Sequence, residues 1–306
     1  MNKPFDILVA GEINPDLILS GNVTPEFGQV EKLVETADLS IGSSSAIFAC
    51  GAARLGLRVA FIGVCGEDLF GKFMLDTMRS RSVDVSNVIR VPGGQTGLSV
   101  IFTRGSDRAI LTHVGLITAL QASDISESLL RQTRHLHVAG YFLQYALQPG
   151  LPELFHRAHS LSVTTSLDTN WDPSGLWKGI VELLPLTDVF LPNAAEACAI
   201  TGKADIDEAA EFLAKLAKIA VIKKGAQGAL GIQGSQFSHA VSIPVNVVDT
   251  VGAGDSFDAG FLFGYLNGWG LAKSLRLATV CGALSTRAAS GTVAQPTLEE
   301  ALKYVD

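Results

Sequence analysis

Short apolar runs alternate with longer amphipathic stretches along most of the chain, and that alternation leaves few folds open. FDILVAG (from Phe5), VAFIGV (from Val59), HLHVAG (from His135), VTTSLDT (from Val163), DVFLPN (from Asp188) and AVIKKG (from Ala220) read as strands. Between them, SSAIFACGAARLG, GKFMLDTMRSR, PELFHRAHSL and DEAAEFLAKLAK carry helical spacing. Apolar strands separated by helical patterns predict a mostly parallel sheet covered on both faces. A chain of 306 residues, 47% hydrophobic and 17% charged, has enough apolar material for such a core. No linker-like boundary or internal repeat interrupts it, so residues 1–306 are expected to form one α/β domain.

Two regions break the alternation. Residues from about 14 to 38 and from about 93 to 113 read as short strands with Gly and Pro punctuation, as in LILSG and GLSVIFTRGSDRAILTHVG. Such β excursions either form a lid over a site or are ordinary surface hairpins. After residue 255 the pattern turns strongly helical. The net charge of −7 argues against a partner held by neutralising nucleic-acid phosphates. Cys50, Cys65, Cys198 and Cys281 form no CxxC pair, which suits a reduced compartment and offers no disulfide framework or zinc knuckle. Asp6 and Glu12 interrupt any signal-peptide core, and no charge-free apolar run reaches about 18 residues. A cytoplasmic protein without a membrane partner is expected.

The stretch DTVGAGDSFDAGF, from Asp249 to Phe261, carries the strongest chemical signal. VNVV (from Val245) reads as a strand and DSFDAGFLFGYL (from Asp255) as a helix, so Gly252, Ala253 and Gly254 fall at a strand-to-helix turn. The first N–H groups of a helix have no internal partner, and bare backbone lets an anion approach them. Beside that anion pocket, Asp255 suits the base that takes a proton from an attacking hydroxyl. The alternative is a helix N-cap aspartate after an ordinary turn. GEDLFGKF (from Gly66) imitates a P-loop, but Phe73 replaces the needed Ser or Thr, and Glu67 and Asp68 would repel phosphate. The pairs His135/His137 and His156/His159 lack a matching third metal ligand.

These residues resemble the PfkB-type, ribokinase-like carbohydrate kinases. DTVGAGDSFDAGF resembles that family's C-terminal signature, GSSSAIFACGAARLG its N-terminal signature, and GEINPDLIL its first strand and sugar-contacting turn. LPNAAEA matches the family's Asn-x-x-Glu, and KKGAQGAL its glycines near the nucleotide. The resemblance implies an α/β/α sandwich with a mostly parallel central sheet and a small β lid. It implies ATP and Mg²⁺, with a monovalent cation such as K⁺ as a further candidate, and phosphoryl transfer to a sugar-like hydroxyl. By the same analogy Asp255 is the general base, and the N–H groups of Gly252, Ala253, Gly254 and Asp255 form the anion hole. Asn14, Asp16, Gly42 and Ser43 fall at the substrate. Asn193, Lys223, Gly225, Gly228 and Thr279 fall at the nucleotide, and Glu196 near Mg²⁺. Asn193 and Glu196 also spell a capping box, and Lys223 at a strand end is equally compatible with plain surface.

The chain departs from the ribokinase pattern at two places. Ser43 replaces the second signature glycine, and Ile47 stands where a sugar-binding asparagine is expected, which counts against ribose. In LDTNWDPSGLW, Asp172 stands near the place where sugar-acid kinases carry an arginine, which favours a neutral sugar. Trp171 or Phe142 could stack on a flat base, keeping a nucleoside kinase open. A sugar- or nucleotide-binding protein without turnover is the third reading. Arg108 and His113 fall on the expected lid, and an exposed lid sheet could pair with a second copy as a homodimer.

Overall fold

The computed structural model describes residues 3–104 and 107–305. Nine strands form the central sheet, in the order Gln236–Ala240, Ala229–Gln233, Ile219–Lys223, Val189–Phe190, Thr164–Leu167, Thr133–Val138, Phe5–Ala10, Val59–Ile62 and Val83–Asp84. All neighbours run parallel except the last hairpin, where Ala229–Gln233 turns antiparallel against both of its neighbours. Side chains alternate across a strand, so the central strand feeds two cores. Ile7 and Val9 point to one face, with Phe48, Phe61, Phe257, Phe261 and Leu275. Leu8 and Ala10 point to the other, with Leu136, Leu154, Phe155, Phe190 and Leu213.

Helices Ser44–Arg54, Leu69–Ser80, Ala253–Leu266 and Leu271–Ser285 cover the first face. Leu151–Ser160, Ala194–Thr201 and Ile206–Leu213 cover the second. An α/β sandwich of this kind is what the alternation predicts. His135 and His137 sit on the first face as buried core residues, both bonded to Ser166 Oγ at 2.7 Å, and burial pushes the pKa of each down to about 3. No helix among the described residues is long and apolar enough to cross a membrane.

A second sheet stands on the carboxyl ends of these strands. Its order is Thr36–Ile41, Pro15–Ser20, Leu98–Arg104, Asp107–His113, drawn from the two excursions, with Thr36–Ile41 running beyond the expected limit of 38. Register places Asp16 opposite Ser99, and Ser99 opposite Thr112, on one face. Two expectations fail locally. Val245–Val248 is not a strand: the segment is irregular, and Val248 N and Asp249 N donate to the carbonyl of Thr286. VAFIGV is two strands, the second of which, Val64–Gly66, leaves the main sheet to pair with Ile89–Val91.

Candidate active site

The chain leaves the central strand in one direction toward Val59–Ile62 and later returns on the other side through Thr133–Val138. In open α/β sheets the crevice outside the carboxyl ends at such a reversal is where ligands bind. The chemistry-bearing residues converge there.

Helix Ala253–Leu266 begins with Gly252 as its N-cap, at φ 70°, in the left-handed region that favours glycine. A Cβ at Gly252 would also sit 2.7 Å from Gly291 Cα and 2.8 Å from Ile47 Cγ2. Gly254 differs. Among the described residues a Cβ there would meet only Lys223, at 3.6 Å or more, so none of them demands glycine. Space kept free beside helix N–H groups fits an anion.

Asp255 is the third residue of the helix, not its N-cap, and no side chain caps this terminus. The residue is 9% exposed, and its carboxyl group makes no hydrogen bond among the described residues. Burial, joined by the charge of Asp168 and against the pull of Lys223, holds its pKa well above the usual carboxylate range.

A cavity of about 590 Å³ opens in front of this turn. It brings together Lys223, Gly225, Gly228, Ala253, Gly254 and Thr279, between apolar walls that include Ile243 and Val245. Thr279 Oγ1 donates within its helix to Leu275 O (2.9 Å). Lys223 reaches the cavity, but its Nζ is held by Asp168 Oδ2 (3.1 Å) and by Asp258 Oδ1 and Oδ2 (3.2 and 3.0 Å). The plain-surface alternative therefore fails: the Lys223 side chain is only 12% exposed, and its ammonium is held by two carboxylates.

Asn193 caps helix Ala194–Thr201 in a reciprocal capping box, in which Glu196 N donates to Asn193 Oδ1 (2.9 Å) and Asn193 N to Glu196 Oε2 (2.8 Å). Burial, with the charge of Asp168, pushes Glu196 up to about 7. Among the described residues no three carboxylate, imidazole or thiol groups converge as a metal cage. Mg²⁺ usually keeps several waters and binds through one or two carboxylates plus substrate phosphates. A cavity beside a bare helix terminus, with Asp255 in its first turn and Glu196 near enough to act on that carboxylate, fits that mode.

The expected acceptor residues form a second cluster at the base of the small sheet. Asn14 Nδ2 donates to Asp16 Oδ1 (3.4 Å) and to Ser99 Oγ (3.3 Å). Asp16 is buried, and burial pushes it up to about 7 against the charge of Arg108. Gly42 lets Asp16 approach, since a Cβ there would lie 2.2 Å from Asp16 Oδ1. Ser43 takes φ 65° and donates to the carbonyl of Glu12 (2.7 Å) while accepting from Ala46 N (3.0 Å). Its hydroxyl is engaged in capping helix Ser44–Arg54 rather than open to a ligand. Ile47 packs on the backbone of Gly252 and Gly291, which accounts for an apolar residue in that position.

Three acidic residues escaped the sequence reading of the site. Glu12, buried directly after the central strand, accepts from Ser45 N (3.2 Å) and Ser45 Oγ (2.6 Å). Asp168 directly follows another strand, and Asp258 is 1% exposed one turn after Asp255 in the same helix. A carboxylate just past the carboxyl end of a buried strand, or inside the buried stretch of a helix, is the signal that marks each.

Comparison with known proteins bears on the family and the fold. The chain is 29% identical over 328 residues to a 5-dehydro-2-deoxygluconokinase of Geobacillus thermodenitrificans (strain NG80-2), covering 99% of this chain and 94% of that protein. It is also 29% identical over 295 residues to a 2-dehydro-3-deoxygluconokinase of Bacillus subtilis (strain 168), covering 92% and 90%. A structure of Arabidopsis thaliana ribokinase complexed with ribose and ATP shares the fold, at TM-score 0.86 and 24% identity over 99% of both chains. The model of the pfkB family of carbohydrate kinases matches residues 5–298, and the chain belongs to that family.

Proposed function

We propose that this sugar kinase transfers the γ-phosphoryl group of ATP to a hydroxyl of a sugar acid of the dehydrodeoxygluconate class. The observation that carries the reaction is the unbonded, buried Asp255 in the first turn of a helix whose N-terminal backbone is bare. Asp255 takes the proton of the acceptor hydroxyl. The N–H groups from Gly252 to Asp255 face the charge that develops on the transferring group, and the residues lining the cavity position the donor. A raised pKa suits this base, because general-base catalysis works best when the pKa lies near the working pH. Mg²⁺, when bound, would neutralise phosphate charge beside Glu196.

The acceptor class rests on the names of the two relatives and on Arg108. This residue sits on the small sheet, near enough to favour ionisation of Asp16. A guanidinium suits a carboxylate through paired hydrogen bonds. The argument for a neutral sugar loses its footing, because Asp172 does not face an acceptor. Its carboxylate accepts from Ser174 N (2.8 Å) and Trp177 N (2.6 Å) and folds its own loop. Phe142 is buried against Tyr141 and Trp177, so it offers no free face to a nucleoside base.

The small sheet serves as the lid. Its other face carries Leu17, Leu19, Leu39, Val100, Phe102 and Leu111, half-buried or exposed, and we assign a second copy of the chain to it. Sedimentation would show a dimer that a Leu111→Glu substitution splits; a monomeric parent chain would reject it. The test of the reaction is ADP release with Mg²⁺–ATP against dehydrodeoxygluconates, neutral sugars and nucleosides. Turnover on the acids, with KM raised at least tenfold in Arg108→Ala, is expected. Turnover on neutral sugars alone would overturn the acceptor class, and no turnover on any panel member would overturn the kinase reading.

A further inference from the structure

Lys223 is a cation in the crevice to which the reaction above gives no chemical step. Its ammonium has three N–H donors, and three carboxylate oxygens of Asp168 and Asp258 lie within 3.0–3.2 Å of it. Its donors are therefore engaged, and little of its hydrogen-bonding capacity remains for a phosphate. Yet the same Nζ would lie 3.6 Å from a Cβ at Gly254, directly beside the turn that carries Asp255. Two aspartates from separate elements, 55 and 35 residues away in sequence, pin one buried cation next to the base.

We propose that Lys223 is a positioning residue for Asp255, a fixed counter-charge held by Asp168 and Asp258 that lets the buried base ionise. This rests on the reading of Asp255 as the base. The groups that act on Asp255 come from every side of the crevice. Glu12 follows the central strand, Asp168 follows the strand Thr164–Leu167, Glu196 lies on helix Ala194–Thr201, and Asp258 is one turn along the base's own helix. All four are acidic, and Lys223 is the only cation among them. Removing it leaves the base facing like charges alone, and like charges disfavour ionisation. Removing Asp258 takes away one of those charges.

The two substitutions therefore predict shifts of opposite sign, which damage to the fold does not produce. In the pH profile of kcat/KM, the acidic limb should rise by about one unit or more in Lys223→Met. It should fall in Asp258→Asn, and it should lie near the parent value in Lys223→Arg. If Lys223→Met does not fold, the Lys223→Arg and Asp258→Asn profiles carry the test. An acidic limb that stays in place while KM for ATP rises would make Lys223 a phosphate ligand and overturn the inference. An unmoved or raised limb in Asp258→Asn would also overturn it. Asp255→Asn, measured alongside, keeps the two levels apart. If that variant retains the parent rate, the base assignment itself fails; if it is inactive and the Lys223 limb does not move, only the role of Lys223 fails.

Discussion

The two ends of the central sheet treat buried carboxylates in opposite ways. At the amino ends of the strands each acid is matched. Asp6 receives Arg58 Nε and Nη2 (both 2.9 Å) and Arg134 Nη1 (3.0 Å), and the hydrogen bond from Arg58 leads in holding it down to about 2. Asp188 is held below its usual range as well. Burial opposes ionisation there, but bonds from Lys218, Thr165 N and His159 outweigh it. At the carboxyl ends, Glu196, Asp255 and Asp258 are pushed up by burial around Lys223, and Asp16 by burial against Arg108; Asp168, which Lys223 holds, stays below its usual range. Matched charge holds a fold, whereas crowded charge strains it, and perturbed ionisation of this kind clusters where chemistry is done. The same sheet thus separates the two demands by strand polarity.

That contrast breaks first at Asp255. Asp255→Asn should lower kcat by ~10²–10⁴-fold, because it removes the base, while Tm stays level or rises, because it removes a crowded buried charge. A large loss of Tm with activity retained would reverse the assignment of the two ends. Asp6→Asn should do the opposite. Losing charge-assisted bonds to two arginines should cost ~1.5–3 kcal/mol of stability, read as a lower urea midpoint with an unchanged slope, and kcat/KM should not move.

The pH dependence of stability sharpens the same contrast. A carboxyl raised in the folded state contributes stability below its unfolded pKa, and that contribution is lost as pH rises through the folded value. Asp16, at about 7, should therefore weaken the ligand-free protein by about 1.4 kcal/mol between pH 6 and 8, one unit of proton linkage. Asp16→Asn should remove its share of that slope and leave the share of Glu196, which burial also raises to about 7. Asp6 has the reverse sign, since its lowered pKa gives stability that disappears as pH falls toward about 2. Equal Tm at pH 6 and pH 8 in the parent chain would show that Asp16 is not strained.

The order of strands and helices is readable from the chain because each element carries its period. Val245–Val248 misleads because four residues rich in valine look alike in a strand and in an extended wall. Val247 and Val248 are 56% and 58% exposed, and the backbone bonds run to the end of a helix rather than to a sheet edge. In the site, Asp255 is legible because glycines in a local run announce it. The partners of Lys223 are not, since the order of the sheet brings them from 55 and 35 residues away. Ser43 shows the same limit: its hydroxyl belongs to Glu12 and Ala46, a choice that only the packed helix terminus makes.

The smallest expected effect is the most discriminating. Gly252 and Gly254 look equivalent in the motif, but only Gly252 has a positive φ and a backbone neighbour that excludes a Cβ. Gly254→Ala should therefore stabilise the ligand-free protein by ~0.4–1 kcal/mol, by narrowing the unfolded ensemble at a compatible position. It should at the same time raise KM for ATP, because a methyl group would occupy the cavity beside the helix N–H groups. Gly252→Ala should destabilise instead, through strain at a left-handed position. If Gly254→Ala were stabilising without any kinetic effect, the bare backbone there would have no ligand to serve. Stability gained and nucleotide affinity lost in one substitution would show that the glycine is kept for what binds and not for what folds.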